Sequence, residues 1–194
     1  MDASLLKKEI RSRHLKQRAL MSDVEYRQYS QSICDHLFTL TKEWNLRNVH
    51  VFLPILGRRE PDINPFIQHL LNSGVTVVVP VAQAHSRIMQ HSLINKETIY
   101  KMGTWGEPIP EQTQWITQDH YDLILVPMLA VDHYGHRLGY GKGYYDQFLT
   151  SVRGKRIGVC FENERLENLP CELHDQAVDC VVTEITSITI HDSF

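Results

Sequence analysis

The sequence predicts an α/β domain built on a largely parallel sheet with helices on both faces. Three observations carry that expectation. Segments of strand character alternate with segments of helical character along most of the 194 residues, the order that builds βαβ units. Two of the strand-like runs, Val75–Pro80 and Tyr121–Pro127, are apolar or β-branched at nearly every position, as in a strand covered on both sides. Hydrophobic residues make up 42% of the chain, enough at this length for one sizeable core. No internal repeat, low-complexity tract or linker divides the sequence, so residues 1–194 read as a single domain.

Residues 4–20 hold neither Gly nor Pro and read as a helix. Ser22 followed three residues later by Glu25 is a capping box, opening a second helix to about Leu40. Val49–Pro54 is a short β-rich run closed by proline, hence a strand. Asn64 and Pro65 supply the N-cap and first position of a third helix, with Gly74 as its stop. Val75–Pro80 and then Arg87–Ile94 read as strands, and the Gly, Pro and Thr between Lys101 and Gln114 mark a loop. Tyr121–Pro127 is the next buried strand, Tyr144–Val152 a helix, and Lys155–Phe161 and Val178–Thr183 the closing strands.

Lys and Arg number 20 against 23 Asp and Glu, a formal net charge of -3. Without a basic excess to neutralise phosphates, neither nucleic acid nor an anionic membrane is expected as a partner. The longest apolar runs are of strand length, too short to span a bilayer, and MDASLLKKEI lacks the apolar stretch of a signal peptide. Cys34, Cys160, Cys171 and Cys180 form no CxxC pair. Neither a disulfide framework nor a zinc site is expected, and the expected compartment is a reducing cytoplasm. The 11 histidines show no HExxH or comparable ligand spacing.

The most informative stretch is RLGYGKGYYD, Arg137–Asp146, with Gly139, Gly141 and Gly143 on alternate positions between a strand and a helix. Ligands of open α/β sheets bind beyond the carboxyl ends of strands, where a helix N-terminus offers unpaired N–H groups. Glycines let the backbone close on a ligand and turn its N–H groups into an anion nest. Arg137 and Lys142 add full positive charge, so the stretch suits a polyphosphate. It is not a Walker A loop, because Gly143 follows Lys142 where Ser or Thr is needed, nor a GxGxxG fingerprint, because position 144 is Tyr144. Asp146 falls in the first helical turn, where it complements the helix dipole or, with substrate phosphates, ligates Mg²⁺. Asp175, just before the last strand, is a second candidate ligand, while Asp132 in Asp-His-Tyr-Gly reads as a local turn carboxylate. Lys7 and Arg11, four apart, share a helix face and either meet solvent or reach the outer phosphates of a nucleotide. Lys8, Arg13, Lys16 and Arg18 read as a solvated face.

The assembly DLILVPMLAVDHYGHRLGYGKGYYDQFL, Asp122–Leu149, closely resembles the 5-formyltetrahydrofolate cyclo-ligase family, with RLGxGKGYYD its most specific motif. The Lys7-x-x-x-Arg11 pair, FLPILGRREPD (Phe52–Asp62), MGTWGEPIP (Met102–Pro110) and IGVCFENERLENLPCELHDQAVDCVVTE (Ile157–Glu184) resemble further family segments in the same order. The resemblance implies a three-layer α/β/α sandwich and ATP- and Mg²⁺-dependent cyclisation of 5-formyltetrahydrofolate, including polyglutamylated forms, to 5,10-methenyltetrahydrofolate, with release of ADP and phosphate. It implies that Lys7, Arg11 and Arg137, Leu138, Gly139, Tyr140, Gly141, Lys142, Gly143, Tyr144 and Tyr145 hold ATP, with Lys142 and Arg137 catalytic. It implies that Asp146 and Asp175 hold Mg²⁺ and that Leu53, Glu60, Trp105 and Tyr144 contact the folate. A monomer acting on small molecules is expected. Two departures stand out. Tyr140 occupies a position often basic in the family, and the FLPILGRRE stretch is longer than many counterparts, its Arg58 and Arg59 expected to meet the folate glutamate tail. Two other readings compete: a folate- or nucleotide-binding protein with little turnover, and a different ATP-dependent phosphotransferase acting on a small metabolite.

Overall fold

A computed structural model describes residues 3–82 and 88–190. Helices α1 (Ala3–Leu20) and α2 (Asp23–Thr41) follow one another with a break at Met21 and Ser22. The capping box makes that break: Ser22 Oγ accepts from Glu25 N at 3.2 Å, and Glu25 Oε2 accepts from Ser22 N at 2.9 Å, satisfying two donors the helix start leaves open. Strand β1 (Asn48–His50) is shorter than the Val49–Pro54 run. Val51 N still reaches Val78 O, but the chain then leaves the sheet for a 3₁₀ turn at Leu56–Arg58. Helix α3 (Asn64–Asn72) has Ile63, not Asn64, at its N-cap. Asp62 Oδ1 accepts from Asn64 N at 3.0 Å, which draws Asn64 into the first turn. Gly74, at φ +75°, ends the helix as expected.

Strand β2 (Thr76–Ala82) is followed by β3 (Met89–Ile94), β4 (Tyr100–Met102), β5 (Pro108–Pro110), β6 (Gln114–Trp115), β7 (His120–Pro127), β8 (Ala130–Val131) and β9 (Arg137–Leu138). Arg87, at the head of the expected third strand, lies outside the described residues. The stretch read as a loop instead carries a two-stranded ribbon, β4 with β5. Its prolines are tolerated because a two-stranded ribbon leaves outward positions that need no ladder donor. Helix α4 (Tyr144–Ser151), β10 (Arg153–Val159), β11 (Cys180–Val182) and β12 (Ser187–Thr189) complete the chain.

The main sheet has the order β12-β11-β10-β7-β1-β2-β3-β6. Its centre, β11 through β2, is parallel, and β12, β3 and β6 run antiparallel at the edges. β2 is therefore parallel on one side only, although its Val77, Val78 and Val79 are all buried. Ile33 and Leu37 of α2 and Phe66, Ile67 and Leu70 of α3 share one core with Val49, Val77, Leu123 and Leu125. Phe148 and Leu149 of α4 share another with Val78, Ile124 and Val126. Helices thus cover both faces, each fully buried side chain of this size stabilising by about 1.5–3 kcal/mol. Helix α1 docks separately, Ile10 packing with Ala130, Leu138 and Leu169.

The second core holds a histidine pair. His50 Nε2 lies 3.2 Å from His91 Nδ1, with the Phe148 ring against both. Burial holds His50 well below the ordinary imidazole range, and His91 to about 4. Both rings stay neutral in the fold, whereas the unfolded chain takes up protons near pH 6.5. Stability from this pair is therefore complete above about pH 6.5 and drains away as pH falls towards 4. Thermal melts between pH 8 and pH 4 should show that decline, and His91→Leu should flatten it; an equally steep decline in the variant would place its origin elsewhere.

Candidate active site

Where β1, β2, β7 and β9 end and α4 begins, a cleft of about 440 Å³ opens. Every residue that the resemblance assigned to ATP, Mg²⁺ or folate lines it. Lys7 and Arg11 come from α1, Leu53 and Glu60 from the β1–α3 connection, Trp105 from the β4–β5 turn, residues 137–146 from the glycine stretch, and Asp175 from before β11. A depression of about 680 Å³ between the ends of α2 and α3 is lined by Phe38, Trp44 and His69; none of the named residues faces it.

The glycines differ in what they do. Gly141 and Gly143 adopt φ +85° and +74°, in the left-handed region that other residues enter at a cost. A Cβ on Gly141 would also stand 3.0 Å from Arg11 Cζ. Arg11 Nε donates to Gly139 O at 2.8 Å, so α1 clasps the loop. Gly143 is the N-cap of α4, which leaves that helix's first N–H groups open to the cleft.

Charges are arranged in pairs. Lys7 Nζ donates to Glu172 Oε2 and Asp175 Oδ2, both at 2.7 Å. Burial works against the Lys7 charge, but the two carboxylates outweigh it and raise its pKa. Burial likewise opposes the Asp175 carboxylate, and Lys7 and the Glu172 N–H overcome it, holding its pKa below the usual range. Arg137 Nη2 donates to Asp146 Oδ1 at 2.7 Å. Desolvation lowers the Arg137 pKa, with Asp146 opposing, and Arg137 Nε finds no hydrogen-bond partner among the described residues. Gln176 N also donates to Asp146 Oδ1, at 3.3 Å, which ties Asp146 to the segment carrying Asp175. Asp146 thus uses Oδ1 twice, and Asp175 uses Oδ2 for Lys7 and Glu172 N. Asp146 keeps Oδ2 to offer, and Asp175 keeps Oδ1, which lies 3.8 Å from His174 Nε2. Among the described residues, Glu172, His174 and Asp175 also gather their ligand atoms within 4.8 Å of one another.

Tyr140 is the loop's inner residue. Its hydroxyl accepts from Arg18 Nη1 at 3.5 Å, and burial followed by Glu60 pushes its pKa up. Glu60, itself buried, accepts from Ile55 N at 2.6 Å. The guanidinium of Arg58 lies over the Tyr140 ring, 5.2 Å from its centroid. Trp105 and Tyr144 face each other at 6.0 Å between ring centroids. Arg59 does not share the cleft: it bonds Asp23 Oδ1 at 2.6 Å and lies over Tyr26, which corrects the expectation that both inserted arginines meet a glutamate tail.

Arg18 corrects another expectation. It is not on a solvated face but 2% exposed, donating through Nε and Nη2 to Glu164 and through Nη2 to Met128 O. The spacing held the signal: Arg18 lies seven residues beyond Arg11 and four beyond His14, on the face where Lys7 and Ile10 are buried, whereas Lys16 lies off that face and is exposed. Asp132 holds its own turn as read, Oδ1 accepting from Tyr134 N and His136 N, but it is not purely local: Oδ2 accepts from Leu169 N, 37 residues along the chain.

Comparison with known proteins gives the family and the fold. The 5-formyltetrahydrofolate cyclo-ligase family model matches residues 3–184. A 5-formyltetrahydrofolate cyclo-ligase of Mycolicibacterium smegmatis is 34% identical, the match covering 71% of this chain and 73% of that one. The enzyme of that name from Haemophilus influenzae is 26% identical over 87% of this chain and 92% of its own. Among solved structures, a 5,10-methenyltetrahydrofolate synthetase of Aquifex aeolicus superposes with a TM-score of 0.82 at 28% identity, covering 97% of this chain and 95% of that one. A synthetase from Mycoplasma pneumoniae, with a TM-score of 0.72 at 21% identity over 95% of this chain and 99% of its own, shares the fold.

Proposed function

The chain belongs to the 5-formyltetrahydrofolate cyclo-ligase family and catalyses the ATP-dependent conversion of 5-formyltetrahydrofolate to 5,10-methenyltetrahydrofolate, and from that premise we propose how its own residues carry the reaction. The observation that carries the proposal is one shared cleft: a glycine nest flanked by Lys7, Arg11, Arg137 and Lys142 faces a wall of Leu53, Glu60, Trp105 and Tyr144.

A formamide is a poor electrophile, because nitrogen donates into its carbonyl. In the proposed sequence the formyl oxygen attacks the γ-phosphorus of ATP. The bond from that phosphorus to the bridging oxygen breaks, and its electron pair leaves with ADP. N10 of the same folate then attacks the formyl carbon, loses its proton to solvent, and the carbon–oxygen bond breaks with its pair going to phosphate. No protein nucleophile is needed. The protein aligns two substrates and neutralises charge in transit.

The nest from Arg137 to Tyr145 and the start of α4 hold the phosphates, with Lys142 and Arg137 as catalytic cations and Lys7 and Arg11 closing over them from α1. Leu53, Glu60, Trp105 and Tyr144 hold the folate, flat rings facing flat rings. Asp146 and Asp175 present hard carboxylate oxygens beside the nest, a donor set that suits Mg²⁺ shared with substrate phosphates. When bound, Mg²⁺ supplies charge neutralisation for the phosphoryl group. Residues 1–194 are read as one domain, a monomer in the cytoplasm, taking mono- and polyglutamyl substrate and neither nucleic acid nor membrane. Among the described residues no helix is long and apolar enough to cross a membrane.

The test uses purified protein, ATP, Mg²⁺ and 5-formyltetrahydrofolate. The methenyl chromophore should appear with one ADP formed per product. Bound ATP without product would favour a binding protein, and ADP formed only with another metabolite would favour a different phosphotransferase.

A further inference from the structure

Three of the cleft's cations already have protein partners. Lys7 is held by Glu172 and Asp175, Arg137 by Asp146, and Arg11 spends its Nε on Gly139 O. Arg58 lines the same cleft yet forms no ion pair among the described residues. It rests on the face of Tyr140, whose backbone stands between the nest glycines Gly139 and Gly141. It arrives from the opposite wall, in the connection that also carries Leu53 and Glu60. A cation from the wall that carries Leu53 and Glu60 therefore rests on a side chain of the glycine loop.

The backbone is built to put it there. Arg59 is the described residues' one non-glycine with positive φ, at +48°, a conformation that persists only where the surroundings impose it. Arg59 N closes the 3₁₀ turn on Leu56 O at 2.9 Å. Its guanidinium is tied down by Asp23 at 2.6 Å and lies 5.3 Å from the Tyr26 ring centroid. At the other side, Ile55 N is held by Glu60 Oε2 at 2.6 Å. Turning Arg59 outward turns Arg58 inward, and the Tyr140 ring then fixes its plane.

We propose that Arg58 is a catalytic residue, a guanidinium that binds the γ-phosphoryl group as it passes from ATP to the formyl oxygen. The proposal rests on the assignment of the glycine nest to the ATP phosphates. Phosphoryl transfer spreads charge over three equatorial oxygens, and the planar fork of an arginine matches two of them at once. An arginine on the folate side of the nest meets that group where it changes hands. The position explains why the loop tolerates Tyr140: the ring carries no charge but supports one. A receptor for the glutamate tail would not need a seat on the phosphate loop.

Arg58→Ala should lower kcat by about 100-fold, the scale for losing one preorganised charge-stabilising donor. The KM for 5-formyltetrahydrofolate should stay within about threefold, with the ratio between mono- and polyglutamyl substrate unchanged. A non-hydrolysable ATP analogue should bind more weakly while ADP, which lacks the γ-phosphate, binds as before. Arg58→Lys should recover part of the kcat. Tyr140→Leu, removing the seat, should lower kcat too, and adding Arg58→Ala to it should cost little more, as coupled residues require. A kcat within threefold of wild type, a loss confined to the KM of polyglutamyl substrate, or equal weakening of ADP and the analogue would each overturn the assignment. Wild-type protein that makes no methenyl product would instead overturn the cyclo-ligase reading of the cleft, and Arg58's role with it.

Discussion

Asp146→Asn is expected to cut turnover by about a thousandfold while leaving the protein folded, the scale on which phosphoryl-transfer sites respond to losing a charge-neutralising element. The substitution separates two tasks of one carboxylate. Asparagine keeps an oxygen to accept from Arg137 Nη2 and Gln176 N, the contacts Asp146 Oδ1 makes at 2.7 and 3.3 Å. It gives up the charge that a Mg²⁺ ion beside the phosphates requires. The melting temperature should therefore move little, and raising Mg²⁺ should not restore turnover. Asp146→Ala removes the acceptor as well, so it should lose the same activity and some stability besides, because Arg137 is 7% exposed and left without its anion. Activity retained in Asp146→Asn would sink the metal role and leave Asp146 as the partner of Arg137 alone.

Glu164→Ala should have the largest effect on stability, about 3–5 kcal/mol, since it strands a buried charge. Arg18 is 2% exposed and Glu164 fully buried, joined at 2.6 and 2.8 Å. Burial lifts the Glu164 carboxyl above its usual range, and the Arg18 guanidinium and the Phe161 N–H oppose that lift. At this chain length such a loss corresponds to about 10 °C in melting temperature, readable by calorimetry. Replacing both partners, Arg18→Met with Glu164→Leu, should recover much of it, because the penalty belongs to the widowed charge rather than to the missing pair. A single variant that melts within 2 °C of wild type would show that water reaches Arg18.

The sequence carried the parts of this fold that rest on local rules. Ser22 and Glu25 cap their helix, Gly74 stops another, and the β-branched runs at Val75 and Tyr121 lie in the sheet. The glycine stretch, Lys142 and Arg137 that it singled out do line one cleft. What it hid depends on tertiary contact. Arg18 shares a helix face with Lys7, Ile10 and His14 while Lys16 does not, but that this face is buried rather than solvated depends on the seat of α1 on the chain after β7 and β10. Val49–Pro54 has the composition of a strand, but most of it bends away from the sheet, and Phe52 and Leu53 line the cleft. Arg58 read as one of a basic pair, and the left-handed backbone of Arg59 separates the two.

The way α1 is fastened has a consequence for how the enzyme comes into being. Lys7 is bonded to Asp175, Arg11 to Gly139 and Arg18 to Glu164, across 168, 128 and 146 residues of chain. Helix α1 is thus made well before the segments that receive it. Until the chain beyond β10 has emerged from the ribosome, Lys7 and Arg18 lack the carboxylates they meet and the seat of Ile10 lacks Leu169. Long-range closures of this kind slow folding. A nascent chain halted before residue 160 should hold helix α1 loose and open to proteolysis, and the cleft should be complete only once Glu164 and Asp175 have arrived.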